Sequence, residues 1–423
     1  MSAEAATNTT YNVPASVGRL GGRALVAGIV ALVLCIVGAF LNPAGFWRAY
    51  LVGYVFWTGV SVGALAIIML HHLSGGGWGV VIRRPLEAAS RTLPVMAILF
   101  LPIAYAVFTH QLYPWTVPEE ADLEIIKHKA IYLNIPFFLA RTVFYFAMWG
   151  MLAYFLSKYS LQQDAEPDPR ARRRLKERMQ TVSGPGILLF GFTVTFAAVD
   201  WVMSLEPEWF STIYGLLIMV GWGLTALAFA IVTTVILSQD ERLARVYQPR
   251  HFHDHGKLML AFVMLWAYFS FSQFLIIWSG NLPEEIPWYL RRLFGGWGYV
   301  AVALVVFHFA LPFILLLSRE RKRRARALVL VALLVLVMRV VDLFWTIAPS
   351  VMAMPHHGTA GGAHAGYGGG MADVVAYALN FITPIAIGGF WLWWYARELA
   401  SRPLLPLGDA GLEDALAEAN GHH

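Results

Sequence analysis

Ten runs of apolar residues follow one another along this chain. Each is long enough to cross a hydrocarbon layer about 30 Å thick, which takes roughly 20 residues. They fall near residues 24–41, 48–71, 93–110, 134–157, 186–204, 211–237, 257–279, 297–318, 327–347 and 373–396. A lipid interior offers backbone amides no partner, so such a segment must close its hydrogen bonds within itself, as a helix. The expected fold is an all-α integral membrane protein with ten transmembrane helices. Of its residues 58% are hydrophobic and 13% charged, against about 25% charged in a soluble domain.

Orientation follows from the basic residues. Twenty-four of the 31 Lys and Arg fall in the termini and in the loops after the even-numbered spans. Five fall in the other loops, and Arg141 and Arg339 lie inside spans. Basic residues stay on the cytoplasmic side, so both termini are expected there. Segments 170–178 (RARRRLKER) and 319–326 (RERKRRAR) carry most of the bias. Anchoring and contact with lipid headgroups account for them, and nucleic acid is not an expected partner. The polar stretch 1–19 leads into the first span without a small-residue cleavage site, so no removable signal peptide is expected. Cys35 is the sole cysteine. That excludes a C-x-x-C-H haem site, a four-cysteine iron–sulfur cluster and a disulfide within the chain. P-loop and dinucleotide fingerprints are also missing.

The chain contains an internal repeat. V-D-W-V-M-S-L-E-P at 199–207 returns as V-D-L-F-W-T-I-A-P at 341–349, with a hydroxyl residue four places after each Asp and a Pro seven places after it. Pro-Glu-Glu occurs at 118–120 and 283–285, ahead of Tyr132-Leu133 and Tyr289-Leu290 respectively. The spans that follow end in Leu156-Ser157-Lys158 and Leu317-Ser318-Arg319. Three features recurring in register make spans 2–5 and 6–9 two parallel copies of a four-helix unit, flanked by spans 1 and 10. The expected divisions are a cytoplasmic N-terminal segment (1–23), a flanking helix (24–45), two bundles (46–207 and 208–349), an outer loop with the last helix (350–398) and a cytoplasmic tail (399–423).

Charges inside a membrane are costly and mark function or pairing. Four lie within the spans: Arg141, Asp200, Arg339 and Asp342. At 1.5 Å per residue, Arg141 and Asp200 reach similar depth on consecutive helices, so an ion pair is expected. Arg339 and Asp342, at i and i+3, share one helix face. His308 is the one histidine deep in a span. These residues are either structural ion pairs or a proton relay, extended by Ser204, Thr346, Glu206, Tyr105, His110 and Tyr145. A b-type haem would need two opposed histidines, which His308 and His110 do not supply. His356, His357 and His364 sit in a Gly-rich outer loop, 354–372, that reads as a linker rather than a metal site. The run 251–255 (HFHDH) reads as a solvated face, and the tail 402–423 as an acidic docking segment.

The stretch 200–214 (DWVMSLEPEWFSTIY), the ten spans and the basic loops together resemble the F subunit of bacterial alternative complex III. That complex is a quinol:electron-acceptor oxidoreductase, and this subunit has the NrfD (polysulfide-reductase) type of membrane fold. The resemblance extends over nearly the whole chain, and its sharpest motif is those 15 residues. It implies two four-helix bundles with flanking helices, residence in the bacterial inner membrane, and no covalently bound or redox cofactor in this subunit. The implied partners are a larger NrfD-like sister subunit, an iron–sulfur protein, c-type cytochrome subunits, small membrane subunits and phospholipids. Quinol oxidation in such complexes is assigned to the sister subunit, which would leave this chain as scaffold and proton half-channel. A menaquinol or other quinol site in this chain is the alternative, with His110, Trp115, Arg141 and Asp200 as its candidates. A stand-alone transporter is a third reading. The absence of Gly/Pro-interrupted helices at matched positions of the two halves counts against it.

Overall fold

A computed structural model describes residues 11–118, 124–244, 246–352, 371–409 and 411–412. The loop histidines 356, 357 and 364, Glu119 and Glu120 of the first Pro-Glu-Glu, and the tail beyond 412 lie outside the described residues. The described residues are helical, with no strand among them. Among the described residues ten helices are long and apolar enough to span a membrane, so the chain is a multi-pass membrane protein. They are α1 (Ala15–Leu41), α2 (Pro43–Ser74), α3 (Arg83–Phe108), α4 (Ile135–Ala165), α5 (Pro169–Trp201), α6 (Tyr214–Leu237), α7 (Pro249–Gly280), α8 (Trp297–Leu317), α9 (Ala325–Met352) and α10 (Met371–Ala400).

Several helices outrun their apolar windows. Segment 170–178, expected as a basic loop, forms the first turns of α5. Asp168 caps that helix by accepting from Arg170 N at 3.0 Å, and Pro169 sits in its first turn. Hydropathy marks only the part of a helix that lipid covers, whereas caps and prolines decide where winding starts. Two spans are interrupted. α3 runs as Arg83–Ser90, Leu93–Ile98 and Leu101–Phe108, the second and third pieces each opening on a proline that lacks an amide donor. α8 contains a π-helical segment, Leu304–Ala310.

Helices α2, α3, α4 and α5 close a ring, each packing on the next and α5 returning to α2; α6, α7, α8 and α9 close a second ring in the same order. α2 meets α6 where the bundles join, and the flanking contacts α2–α9 and α5–α6 are exchanged when one bundle is swapped for the other. This is the packing expected of a duplicated unit. The central approach needs glycine. A Cβ on Gly63 would lie 2.2 Å from the Trp222 carbonyl oxygen, and one on Gly59 would lie 2.4 Å from the Trp222 ring. α2 is accordingly buried almost all round, whereas α1, α7 and α8 present most of their surface outward.

α1 and α10 pair outside the rings, and α10 lies on α2. Their backbones touch at Gly28 and Gly389, where a Cβ on Gly389 would stand 2.4 Å from the Gly28 Cα. Gly389→Ala is expected to lower stability by about 1–3 kcal/mol through overpacking, measured by thermal unfolding in detergent. Gly22→Ala, with open space around it, should unfold at the wild-type temperature. Equal behaviour of the two would contradict this packing.

Candidate functional site

Asp200, near the end of α5, has no exposed surface. Arg141 of α4 holds both its oxygens, Nε donating to Oδ2 and Nη2 to Oδ1, each at 2.9 Å. Tyr145 Oη adds a 2.6 Å bond to Oδ2. The guanidinium also donates to the Tyr132 carbonyl at 3.0 Å and lies over the Tyr132 and Phe137 rings, 3.8 and 4.3 Å from their centroids. The expected ion pair is present, and every oxygen of the carboxylate is committed. Ser204 Oγ donates to the Asp200 carbonyl at 2.5 Å, and in the second repeat Thr346 Oγ1 donates to the Asp342 carbonyl at 2.8 Å. The hydroxyl four places after each Asp thus secures the backbone that carries it.

The second acid site is built differently. Asp342 of α9 pairs with Arg339 one turn earlier, and Trp266 Nε1 of α7 donates to it at 3.3 Å. Both contacts fall on Oδ2, and no described residue bonds Oδ1. Arg339 reaches Thr225 at 3.4 Å and lies against the bare Cα of Gly221, where a Cβ would stand 2.2 Å from Nη2. Trp266 also packs on His308, its ring 4.3 Å from the indole centroid at an interplanar angle of 80°. His308 is fully buried, and neither ring nitrogen has a hydrogen-bond partner among the described residues. It belongs to the π segment of α8. Pro312 lies four places on, where its ring displaces the His308 carbonyl from the regular i→i−4 bond, and wide turns of this kind recur at functional sites. A proline four places after a lone histidine in an apolar run was the sequence signal for this.

Glu206 lies at the end of the molecule away from the termini. It binds Arg291 at 2.6 Å and Arg292 at 2.8 Å and accepts from Ser350 Oγ at 2.5 Å. Arg292, fully buried in the short helix Ile286–Leu293, also donates to the carbonyls of Trp288 and Thr346, each at 2.8 Å, and to Ser350 Oγ. Burial pushes its guanidinium below the ordinary arginine range, and the Glu206 charge opposes that. Glu206 therefore ties the motif of the first repeat to the motif of the second, through an arginine that sequence reading treated as loop charge.

The remaining candidates are dispersed. His110 is exposed in the turn after α3, at φ 57°, and Tyr105 is 58% exposed, so neither extends a buried path. Trp115 is buried beside Tyr113 and Phe138, and Tyr113 Oη reaches the Trp201 carbonyl at 3.0 Å, one residue from Asp200.

The face that carries the termini holds a network that sequence reading did not find. Arg83 and Arg84 clasp Glu87, and Arg83 also binds Asp409 at 2.8 Å, while Arg84 binds Asp164. Ser160 Oγ donates to Glu87 Oε1 at 2.7 Å. The i+3 and i+4 spacing of R-R-P-L-E was the available signal. Residues 402–409, expected as a docking segment, instead pack on their own chain. Arg402 reaches Ser157 at 2.6 Å, Leu404 N bonds the Tyr11 carbonyl at 3.0 Å and Gly408 N bonds Asp164 at 3.1 Å. The expected solvated face at 251–255 is also overturned. His251 and His255 are buried, and His255 Nε2 lies 2.7 Å from the Trp78 carbonyl, because this turn of α7 faces the first bundle. Among the described residues no group of three or more His, Cys, Asp or Glu is placed to hold a metal ion. No family model matches the chain, and no curated protein matches it.

Proposed function

We propose that this chain is a membrane subunit of a quinol-oxidising respiratory complex, and that its second repeat carries a proton relay while its first repeat braces the bundle. The asymmetry between the two acid sites supports the division. Asp200 has both oxygens engaged, Oδ1 by Arg141 and Oδ2 by Arg141 and Tyr145, which fills three of a carboxylate's roughly four acceptor sites. Asp342 keeps Oδ1 uncommitted, and His308 is buried against the same tryptophan with both nitrogens unpartnered. A neutral imidazole carries one N–H and one lone pair, so His308 can accept a proton at one nitrogen and release one from the other. Buried carboxylate and histidine residues are the usual material of intramembrane proton paths. Arg339 balances the carboxylate charge when Asp342 is deprotonated.

The respiratory setting rests on the resemblance of residues 200–214 and of the ten-helix plan to the alternative complex III F subunit. The interruptions support a subunit over an independent carrier. The broken α3 and the π-containing α8 correspond to α7 and α4, which are continuous, so the two halves are not interrupted at matched positions.

The test uses the complex purified through a tag on this chain, which should carry an iron–sulfur protein and c-type cytochromes with it. His308→Phe and the double substitution Arg339→Met, Asp342→Leu, which removes both buried charges rather than stranding Arg339, are expected to leave the complex assembled and quinol oxidation near wild type. Proton movement coupled to oxidation should fall by about tenfold or more, in keeping with the loss of a positioned acid–base group. Unchanged proton movement in both variants would sink the relay. Recovery of the chain alone, active in substrate flux without partners, would favour the carrier.

A further inference from the structure

At the end of the molecule that carries the termini, α8 stops at Leu317 and the chain turns at Ser318 (ψ 120°) into the short helix Arg319–Arg323, which packs on α7. Lys322 of that helix is 7% exposed, the one buried lysine among the described residues. Its stem lies across Gly256 of α7, where a Cβ would stand 2.7 Å from the Lys322 Cγ. Lysine can cover apolar surface with its methylenes while its charge stays near water, and the bare glycine lets this one lie directly on the helix. No described residue gives its ammonium a hydrogen bond or an ion pair.

The surroundings are cationic. Burial pushes the Lys322 ammonium below the ordinary lysine range, and the like charge of Lys257 adds to this. Lys257, Lys322 and Arg319 all lie within electrostatic reach of His253, in the first turns of α7. Asp254 and Glu320, the carboxylates of segments 249–260 and 318–326, are already taken, Asp254 by Lys257 at 3.2 Å and Glu320 by Arg324. Arg319 is exposed and makes no ion pair with a described residue. A partly desolvated cation without a counter-charge is costly, and an anion seated on it removes that cost.

The neighbouring surface decides which anion fits. Ile314 and Leu317, in the last turns of α8, are 60% and 56% exposed, on a helix apolar enough to cross the membrane. Basic and apolar surface therefore meet at the end of a span, where lipid headgroups lie. An acidic protein segment would meet only the charges, whereas an anionic phospholipid meets both surfaces. General attraction of a basic loop to a membrane needs only exposed side chains; a lysine enclosed against a glycine adds a fixed position.

We propose that Lys322 and Arg319 bind the phosphate of an anionic phospholipid whose acyl chains lie against Ile314 and Leu317. The proposal stands independently of the proton relay and of the respiratory reading.

The test uses the full chain in its purified complex. Native mass spectrometry follows the lipid retained after exchange into an equal mixture of phosphatidylglycerol and phosphatidylcholine. The wild type should retain phosphatidylglycerol in preference, and Lys322→Gln should lower that preference about fivefold, as expected for one basic residue at a membrane surface. Glutamine keeps much of the stem and breaks no ion pair, so this variant should unfold with the wild type. Arg319→Gln repeats the test at an exposed position and should lower the preference as well. Lys158 is the control: it follows the same Leu-Ser pair in the first repeat and is exposed, so Lys158→Gln should keep the wild-type preference. No preference in the wild type, or equal losses in Lys322→Gln and Lys158→Gln, would overturn the proposal. So would calorimetry in which inorganic phosphate binds the delipidated protein through Lys322 while neither lipid is preferred, since that result assigns the site to a soluble anion.

Discussion

Asp200→Asn should be among the most damaging single substitutions in this chain, and the damage should appear as instability rather than as slow chemistry. The change keeps the shape of the side chain but leaves the Arg141 guanidinium enclosed without a counter-charge. Breaking a buried pair by removing one partner costs about 3–5 kcal/mol. Asparagine also presents an N–H₂ where the carboxylate accepted two guanidinium bonds at 2.9 Å and one from Tyr145 at 2.6 Å. The expected result is a large fall in the unfolding temperature of the purified chain and poor recovery from membranes. The double substitution Arg141→Met, Asp200→Leu removes both charges and should recover much of the loss, since apolar replacement of a buried pair is often neutral. An Asp200→Asn protein as stable as the wild type, with proton movement abolished, would reverse the assignment and place a relay in the first repeat.

Glu206→Gln is the second substitution with a large expected effect. Arg292 has no exposed surface, and Glu206 is its only carboxylate partner among the described residues. Neutralising Glu206 leaves that arginine buried and uncompensated, again at about 3 kcal/mol or more. Arg291 provides the contrast, because its side chain is 39% exposed. Such a pair contributes about 1 kcal/mol or less, so Arg291→Gln should be nearly silent in thermal unfolding. Arg292→Met should approach the Glu206→Gln result, with loosening of the helix Ile286–Leu293 seen as faster amide exchange over 286–293. Equal, small effects of the Glu206 and Arg291 substitutions would show that the cluster does not join the repeats. A Glu206→Gln protein of normal stability but impaired proton movement would return Glu206 to the path suggested by its place in the motif.

The legible part of the site was the part that local spacing controls. Arg339 and Asp342 are one turn apart on one helix, so their pairing follows from helical geometry. Arg141 and Asp200 lie on consecutive antiparallel helices at matched depth, and depth is a count of residues times the rise. The hydroxyl four places after each Asp could be seen as a repeat, although its role in holding the Asp backbone could not. Arg292 and the Arg83–Arg84–Glu87 cluster were hidden because both lie in segments whose basic residues suffice for anchoring, and hydropathy does not separate a charge in water from one enclosed by protein. The histidines at 251–255 were misplaced for a related reason. They open a helix beyond its apolar window, and only the neighbouring bundle encloses them.

The sequence by itself determined that the chain crosses a membrane as ten helices, that the inner eight form a duplicated unit, and which charges would be buried in lipid-spanning segments. Those conclusions depend on length, hydropathy and period, which are properties of the chain taken locally. The tertiary structure decided that one acid has both oxygens engaged while its counterpart keeps one oxygen unbonded by described residues beside His308, that Glu206 joins the two repeats, and that a cavity lined by His71, His72 and His251 opens at their seam. Each depends on how far one helix is rotated and shifted against another. That is set by contacts such as Gly63 on Trp222 and Gly28 on Gly389, where the absence of a side chain allows an approach that no local pattern specifies.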